Sequence, residues 1–141
     1  MSGPKDLDTL YDKYPKLFPT NCIDCNTGWY TIIDHMCLAI QTYIEREIAE
    51  EVRFPEFTSI REKFGVLDVC IHDSDNIINI VKKSCEILSY HTCEYCGDEG
   101  ELYCSAKWRN WSYYKTLCLD HAIEHYYYRL YRNTEFSKDN E

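Results

Sequence analysis

The sequence predicts an α+β fold with three main helices, a small antiparallel sheet and a C-terminal lobe bound to zinc. Two segments, 30–51 and 75–90, carry apolar residues at spacings of three and four, as amphipathic helices do. Between them, residues 57–62 and 66–72 are predicted to form two strands joined at Phe64-Gly65. Cysteine pairs in the last third of the chain add a metal-binding element.

The N-terminal part is expected to lead into the first helix through a turn. Residues 1–21 are predicted to be a polar, loosely packed arm. Asn26-Thr27-Gly28 is typical of a turn. Trp29 should be buried directly after it, because a large indole at this place anchors the start of the helix. Pro55 enforces the end of that helix.

The second strand and the second helix should pack through their apolar faces. Strand 66–72 alternates apolar and polar residues, so one of its faces is predicted to lie against both helices. Ser74 or Asp75 is the expected N-cap of the second helix. The residues predicted to face inward from that helix are Ile77, Ile78, Val81, Cys85 and Leu88.

The last third is predicted to hold a short hairpin, with strands at 102–104 and 111–116, followed by a third helix from Cys118. The residues expected on the inward face of this helix are Leu119, Ala122, Ile123, Tyr126, Tyr127 and Leu130. Residues 22–132 then form one zinc-stabilised domain, and residues 133–141 form a polar tail.

The predicted zinc ligands are Cys93, Cys96, Cys118 and His121. A Cys-x2-Cys turn presents two sulfurs to one ion, and Gly97 relieves backbone strain where the chain leaves the metal. The Cys-x2-His pair lies at a predicted helix start, where residues i and i+3 share a face. Four protein ligands leave no open coordination position, which indicates a structural metal.

Other cysteines offer alternative ligands. Cys104 competes for the fourth position, and the other interpretation of it is a buried thiol. Cys22, Cys25 and Cys37 are candidates for a second metal site with His35, although Cys37 also fits the apolar stripe of the first helix.

The charge of the chain favours protein partners. The formal net charge is −9, and the acidic excess lies in the first 100 residues, with 18 acids against 9 bases. An acidic surface repels nucleic acids and membranes and attracts basic proteins. The densest acidic group is the candidate partner-binding surface, and a merely solvated helix face is its alternative. This group is Glu45, Glu47, Glu50, Glu51 and Glu56.

The sequence predicts a cytoplasmic protein. It opens with Met-Ser-Gly-Pro-Lys-Asp, without the basic and apolar regions of a secretion signal. It also lacks an apolar run approaching the ~18 residues of a membrane span. Its nine cysteines are therefore expected to be thiols or metal ligands and not disulfides.

Two further patterns suggest other functions. His121-Ala-Ile-Glu-His125 matches the H-x-x-E-H pattern of a class of zinc peptidases, with Glu124 as base. The Cys118–His121 pair already accounts for His121, so we favour the structural site. Residues 107–115 interleave bases and aromatics, as nucleic-acid stacking platforms do, and the alternative is an aromatic hairpin packed on the metal site.

Three blocks of sequence together resemble a family of small, functionally uncharacterised zinc-binding proteins of bacteriophages and bacterial genomes. The first block is Cys25-Asn-Thr-Gly-Trp-Tyr30, and the second is Arg61-Glu-Lys-Phe-Gly-Val-Leu67. The third block joins Cys93-Glu-Tyr-Cys-Gly97 to Thr116-Leu-Cys-Leu-Asp-His121. The resemblance spans residues 22–122, and the acidic, tyrosine-rich insertions and longer aromatic C-terminus of this chain depart from it.

The resemblance implies a phage-encoded protein in the cytoplasm of a host cell. Together with the acidic charge, it leads us to expect a zinc-stabilised module that binds a basic surface of a host protein, such as a defence nuclease, and inhibits or redirects it. A nucleic-acid-associated zinc protein is the alternative, and a small zinc hydrolase is a third hypothesis. Compared with these two alternatives, the sequence favours a protein that does not catalyse a reaction and does not bind nucleic acid directly.

Overall fold

A computed structural model describes residues 6–48, 54–105, 114–125 and 127–129 of the chain. In these residues there are four α-helices and two three-stranded sheets, so the α+β class is confirmed. The helices are α1 (Thr9–Lys13), α2 (Tyr30–Tyr43), α3 (Asn76–Ser89) and α4 (Leu119–Glu124). A 3-10 turn, Thr27–Trp29, precedes α2, and a π-helical turn, Ile44–Ile48, follows it.

The first sheet has the order β1 (Ile23–Asp24), β2 (Glu56–Lys63) and β3 (Val66–His72). The β2–β3 hairpin is antiparallel, as predicted, but β1 runs parallel to β2, so this sheet is mixed. A strand of two residues has no alternation for sequence analysis to detect. The second sheet has the order β5 (Tyr114–Leu117), β4 (Glu101–Ser105) and β6 (Tyr127–Arg129), with both pairings antiparallel.

The main hydrophobic core lies between α2, α3 and the first sheet. Trp29 is fully buried at the start of α2, which confirms its predicted place. The N-terminal segment was expected to pack loosely, but Leu10, Leu17 and Phe18 are buried in this core. The Phe18 ring stacks on that of Phe57 at 4.9 Å. This segment is therefore part of the folded core.

Polar side chains of α3 cover the open edge of β3. The Leu67 amide donates to Ser89 Oγ at 2.8 Å, and the Val69 amide donates to Glu86 Oε2 at 2.9 Å. Both acceptors are buried. Asp75 caps the start of α3 by accepting from the Ile78 amide at 2.9 Å, as predicted. The helix thus supplies the hydrogen-bond partners that a neighbouring strand would otherwise provide.

Two predicted helix faces are only partly correct. In α3, Ile78 and Cys85 are buried and Val81 packs against the core, as predicted. Because Glu86 and Ser89 point toward β3, the inward face of α3 is turned away from Ile77 and Leu88, which are exposed. The third predicted helix ends at Glu124, and residues 127–129 form β6 instead. A run of tyrosines favours strands over helices. Of the residues predicted to face inward from this third helix, Ala122 is buried, and Leu119 and Ile123 are exposed. The side chains of residues 126, 127 and 130 lie outside the described set.

Replacing Ser89 with Ala should lower the free energy of unfolding by about 1–3 kcal/mol, because the buried Leu67 amide would lose its acceptor. Ser84→Ala removes an exposed hydroxyl from the same helix and is the matched control, with an expected change below about 0.5 kcal/mol. Urea unfolding at low protein concentration, followed by circular dichroism, measures both. Equal losses in the two variants would contradict the role of Ser89.

Candidate metal centre

The structure brings together the four residues that the sequence predicted as ligands. The sulfurs of Cys93, Cys96 and Cys118 and a ring nitrogen of His121 all lie within 4.8 Å of one another. The first two cysteines lie in the turn after α3. Cys118 is the N-cap of α4, and His121 lies within that helix. This Cys3His group can therefore bind a metal ion.

Three of the distances between these ligand atoms are close to those around a tetrahedral ion. With metal–sulfur and metal–nitrogen bonds of about 2.3 and 2.0 Å, tetrahedral angles place two sulfurs about 3.8 Å apart and a sulfur and a nitrogen about 3.5 Å apart. Cys96 Sγ lies 3.8 Å from Cys118 Sγ, and Cys93 Sγ lies 3.5 Å from His121 Nδ1. Cys118 Sγ lies 3.2 Å from the same nitrogen. The donor set and its size thus agree with one ion.

Backbone amides point at two of the sulfurs. The Asp98 amide donates to Cys96 Sγ at 3.4 Å, and the His121 amide donates to Cys118 Sγ at 3.5 Å. Such bonds stabilise a thiolate more than a thiol. Gly97 closes the turn by donating to the Cys93 carbonyl at 2.9 Å, and its φ of 87° is one that glycine adopts without strain.

Without a cation, the Cys96 sulfur favours its protonated form. Burial of the sulfur raises the pKa of the Cys96 thiol to about 12, and the nearby sulfurs of Cys93 and Cys118 act in the same direction. A bound cation reverses this preference, because it stabilises the thiolates that coordinate it. Metal binding at this site therefore releases protons.

A buried carboxylate lies inside the metal-binding turn. Glu94 is 1% exposed, and its Oε2 accepts from the Asn26 backbone amide at 3.2 Å and from the Asn26 side chain at 3.1 Å. Its Oε1 lies 2.9 Å from Lys115 Nζ, which is also 3.4 Å from Glu62. Burial lowers the pKa of Lys115, but the charges of Glu94 and Glu62 outweigh it and hold that pKa above its ordinary value. The turn is thus tied to β2, β5 and the start of α2.

Backbone contacts fix the same turn from the N-terminal side. The Gly28 amide donates to the Glu94 carbonyl at 2.7 Å, and a Cβ at Gly28 would clash with the Cys93 carbonyl oxygen. The indole of Trp29 donates to the Thr92 carbonyl at 2.9 Å. At position 28, only glycine lets the two backbone segments come this close. Trp29 therefore supports the metal turn as well as α2.

Sequence reasoning missed the role of Glu94 and placed Lys115 in a basic–aromatic segment. The internal ion pairs of Lys115 leave it unsuited to contacting phosphates. Residues 107–113 of that segment lie outside the described residues. The sequence did show a charged residue, Glu94, between two cysteine ligands. It could not show which residues pair with Glu94, because these partners are distant in the sequence.

The other candidate ligands lie apart from this group. Among the described residues, Cys22, Cys25, Cys37 and His35 do not gather into a cluster of three or more ligands, and Cys104 is buried in β4 outside the Cys3His group. Burial raises the pKa of Cys22, and it raises that of Cys25 to about 12. Cys37 is fully buried, and burial raises its pKa as well. Cys22, Cys25 and Cys37 are therefore thiols packed in or beside the core.

The H-x-x-E-H pattern does not form a second set of ligands. His125 stacks on Tyr95, with ring centroids 4.7 Å apart, and is not a member of the metal group. Tyr95 also lies beside His121, with centroids 5.5 Å apart. Glu124 is exposed. His125 thus packs against the outside of the metal centre.

The predicted acidic surface is only partly described. Glu45 and Glu47 are exposed in the π-helical turn after α2. Glu56 begins β2 and is half-buried, and Glu50 and Glu51 lie outside the described residues. Glu47 also lines a shallow groove along α2, together with His35, Leu38, Ala39, Thr42, Tyr43 and Arg46.

Comparison with known proteins returned no match. A scan against protein-family models found no matching family. Searches of curated proteins and of solved structures found no similar protein either. None of the helices in the described part of the chain combines the length and apolar character that crossing a bilayer requires.

Replacing Cys96 or Cys118 with Ser should weaken binding of Co²⁺ by at least about 100-fold, because each change removes one thiolate ligand. Cys70→Ser is the control, since Cys70 is exposed on β3 outside the metal group. The visible absorption of a tetrahedral cobalt–thiolate centre measures binding. If both ligand variants kept that spectrum unchanged, the assignment of these sulfurs would be wrong.

Proposed function

We propose that the chain is a zinc-stabilised module that binds a basic surface of another protein. The observation that carries the zinc assignment is the cluster of three cysteine sulfurs and one histidine nitrogen, because thiolate and imidazole are the ligands that zinc prefers. When bound, zinc would supply a structural cross-link between the turn after α3 and α4. With four protein ligands, no position remains for a substrate or a reactive water.

The groove along α2 supports the protein-binding part of the proposal. Leu38 and Ala39 provide exposed apolar surface in the groove, and Glu47 lies at its C-terminal end next to Arg46. A protein partner that inserts an apolar side chain and places a basic group against Glu47 would match these features. The chain's net charge of −9 would steer such a partner toward it.

A narrower proposal concerns the partner. The sequence resemblance to phage and bacterial proteins favours a phage-encoded chain that acts in the host cytoplasm. A host nuclease has to hold phosphates in a basic channel, and an acidic protein surface can compete for that channel. Binding there would inhibit or redirect the host protein.

The alternatives receive less support from the described residues. A nucleic-acid surface would need free cations, and Lys115 is held by Glu94 and Glu62. A zinc hydrolase would need an open coordination position and a base beside it, and the four clustered ligands leave no such position.

Purified protein should carry about one zinc per chain by elemental analysis. The apparent zinc affinity should fall as pH falls, by up to about a thousandfold per pH unit between about pH 8 and pH 6, because three thiols must lose protons to bind. Competition with a chelator at each pH measures this slope, and Cys70→Ser should leave it unchanged. An affinity independent of pH would contradict thiolate coordination.

The double change Glu45→Lys and Glu47→Lys should slow association with a captured host protein about tenfold at low salt. The effect should shrink as salt rises, because screening weakens the attraction. Asp12→Lys with Asp24→Lys is the matched control, since both acids are exposed and the charge change is the same. Surface plasmon resonance measures the rates. Equal slowing by both pairs would show that net charge, and not this surface, determines association.

A further inference from the structure

Helix α4 exposes two large aliphatic side chains on one face. Leu119 and Ile123 are 64% and 65% exposed, more than any other large hydrophobic side chain in the described part of the chain. They lie four residues apart in the helix and are therefore neighbours on its surface. Beside Leu119 the surface forms a cleft, whose walls also include Tyr103 and Leu117. An adjoining pair of exposed aliphatic side chains beside a cleft is typical of an interaction site.

Acidic side chains border this apolar pair. Within α4, Asp120 follows Leu119, Glu124 follows Ile123, and both acids are exposed. The cleft beside Leu119 is lined by two further acids, Glu99 and Glu101. Carboxylates therefore lie next to the apolar pair both in the helix and in the wall of the cleft.

The charge of this region is complementary to a basic partner. Residues 91–105 and 114–125 contain one lysine, Lys115, no arginine and six carboxylates, which are Glu94, Asp98, Glu99, Glu101, Asp120 and Glu124. Lys115 is held internally by Glu94 and Glu62. A second copy of this chain, with its net charge of −9, would be repelled here, and so would a nucleic acid. A basic protein segment would be attracted.

We propose that α4 and the adjoining cleft bind a basic, amphipathic segment of another protein. An aliphatic side chain of that segment would contact Leu119 and Ile123, and a lysine or arginine would enter the cleft. The aliphatic stem of such a residue can lie against Leu117, while its charged end reaches the carboxylate of Glu99. The proposal rests on the proposed function, recognition of a basic protein, but assigns it to a surface other than the α2 groove.

The position of the metal ligands makes this surface suitable for binding. Helix α4 has six residues, too few for a helix that is stable by itself. It begins directly after the ligand Cys118 and contains the ligand His121, so coordination of a metal would fix it. An apolar pair on a fixed element loses less conformational entropy on binding than one on a mobile element.

Isothermal titration calorimetry with a synthetic helical peptide of leucine and lysine tests the proposal. The double change Leu119→Ser and Ile123→Ser should weaken peptide binding about 100-fold, because it removes both apolar contacts. The matched control is Ile80→Ser with Leu88→Ser, which makes the same kind of change at two exposed aliphatic residues four apart on α3 and should leave binding unchanged.

A second pair of variants tests the contribution of charge. Asp120→Lys with Glu124→Lys should weaken peptide binding about tenfold at low salt, and less as salt rises. Asp12→Lys with Asp24→Lys changes the net charge equally at two exposed acids elsewhere, and should have a smaller effect. Unchanged circular dichroism and retention of Co²⁺ show that each variant is folded.

The outcomes separate this surface from the α2 groove. Loss of binding in the α4 variants, with Leu38→Ser unaffected, would support the proposal. If Leu38→Ser weakened peptide binding and the α4 variants did not, the groove on α2 would be the binding site and the proposal would be wrong. Equal weakening by the α3 and α4 double variants, or no binding of the peptide to the unmodified protein, would overturn it as well. None of these results depends on the association rates that test the acidic residues after α2.

Discussion

The hydrogen bonds and the ion pair of the buried Glu94 carboxylate connect the metal centre to the rest of the molecule. Glu94 lies between the ligands Cys93 and Cys96, and its side chain binds Asn26 and Lys115. Its backbone amide donates to the Thr116 carbonyl at 3.0 Å, and its carbonyl accepts from the Gly28 amide. The position of the metal ligands and the position of the start of α2 are therefore set by the same residue.

A buried carboxylate costs several kcal/mol unless its oxygens are paired, and removing one partner leaves most of that cost in place. Here both oxygens have partners, and Lys115 lies between Glu94 and Glu62. The arrangement requires the metal turn, β5 and the β2–β3 hairpin to be in place together. A metal ion bound at this turn would therefore stabilise the first sheet and α2 as well as α4.

Elements with a local pattern could be predicted from the sequence. Strands β2 and β3 and helix α3 follow from apolar periodicity, and the four clustered ligands follow from their spacing. The remaining features depend on partners distant in the chain. Glu86 and Ser89 face inward only because β3 has an open edge to satisfy. No local pattern reveals that Glu94 pairs with Asn26 and Lys115, which are 68 and 21 residues away.

The function that we propose for this chain, recognition of another protein through its surface, needs both charge and apolar contact. Charge alone gives fast, salt-sensitive association but little lasting affinity, because exposed ion pairs contribute only about 0–1 kcal/mol each. Lasting affinity requires apolar side chains that lose their water on binding. On α2, Leu38 and Ala39 lie beside Glu47 in one groove, so charge and apolar contact are available at the same place. A basic partner that buries an apolar residue there would use both, whereas a nucleic acid would be repelled by the net charge of −9 on the chain.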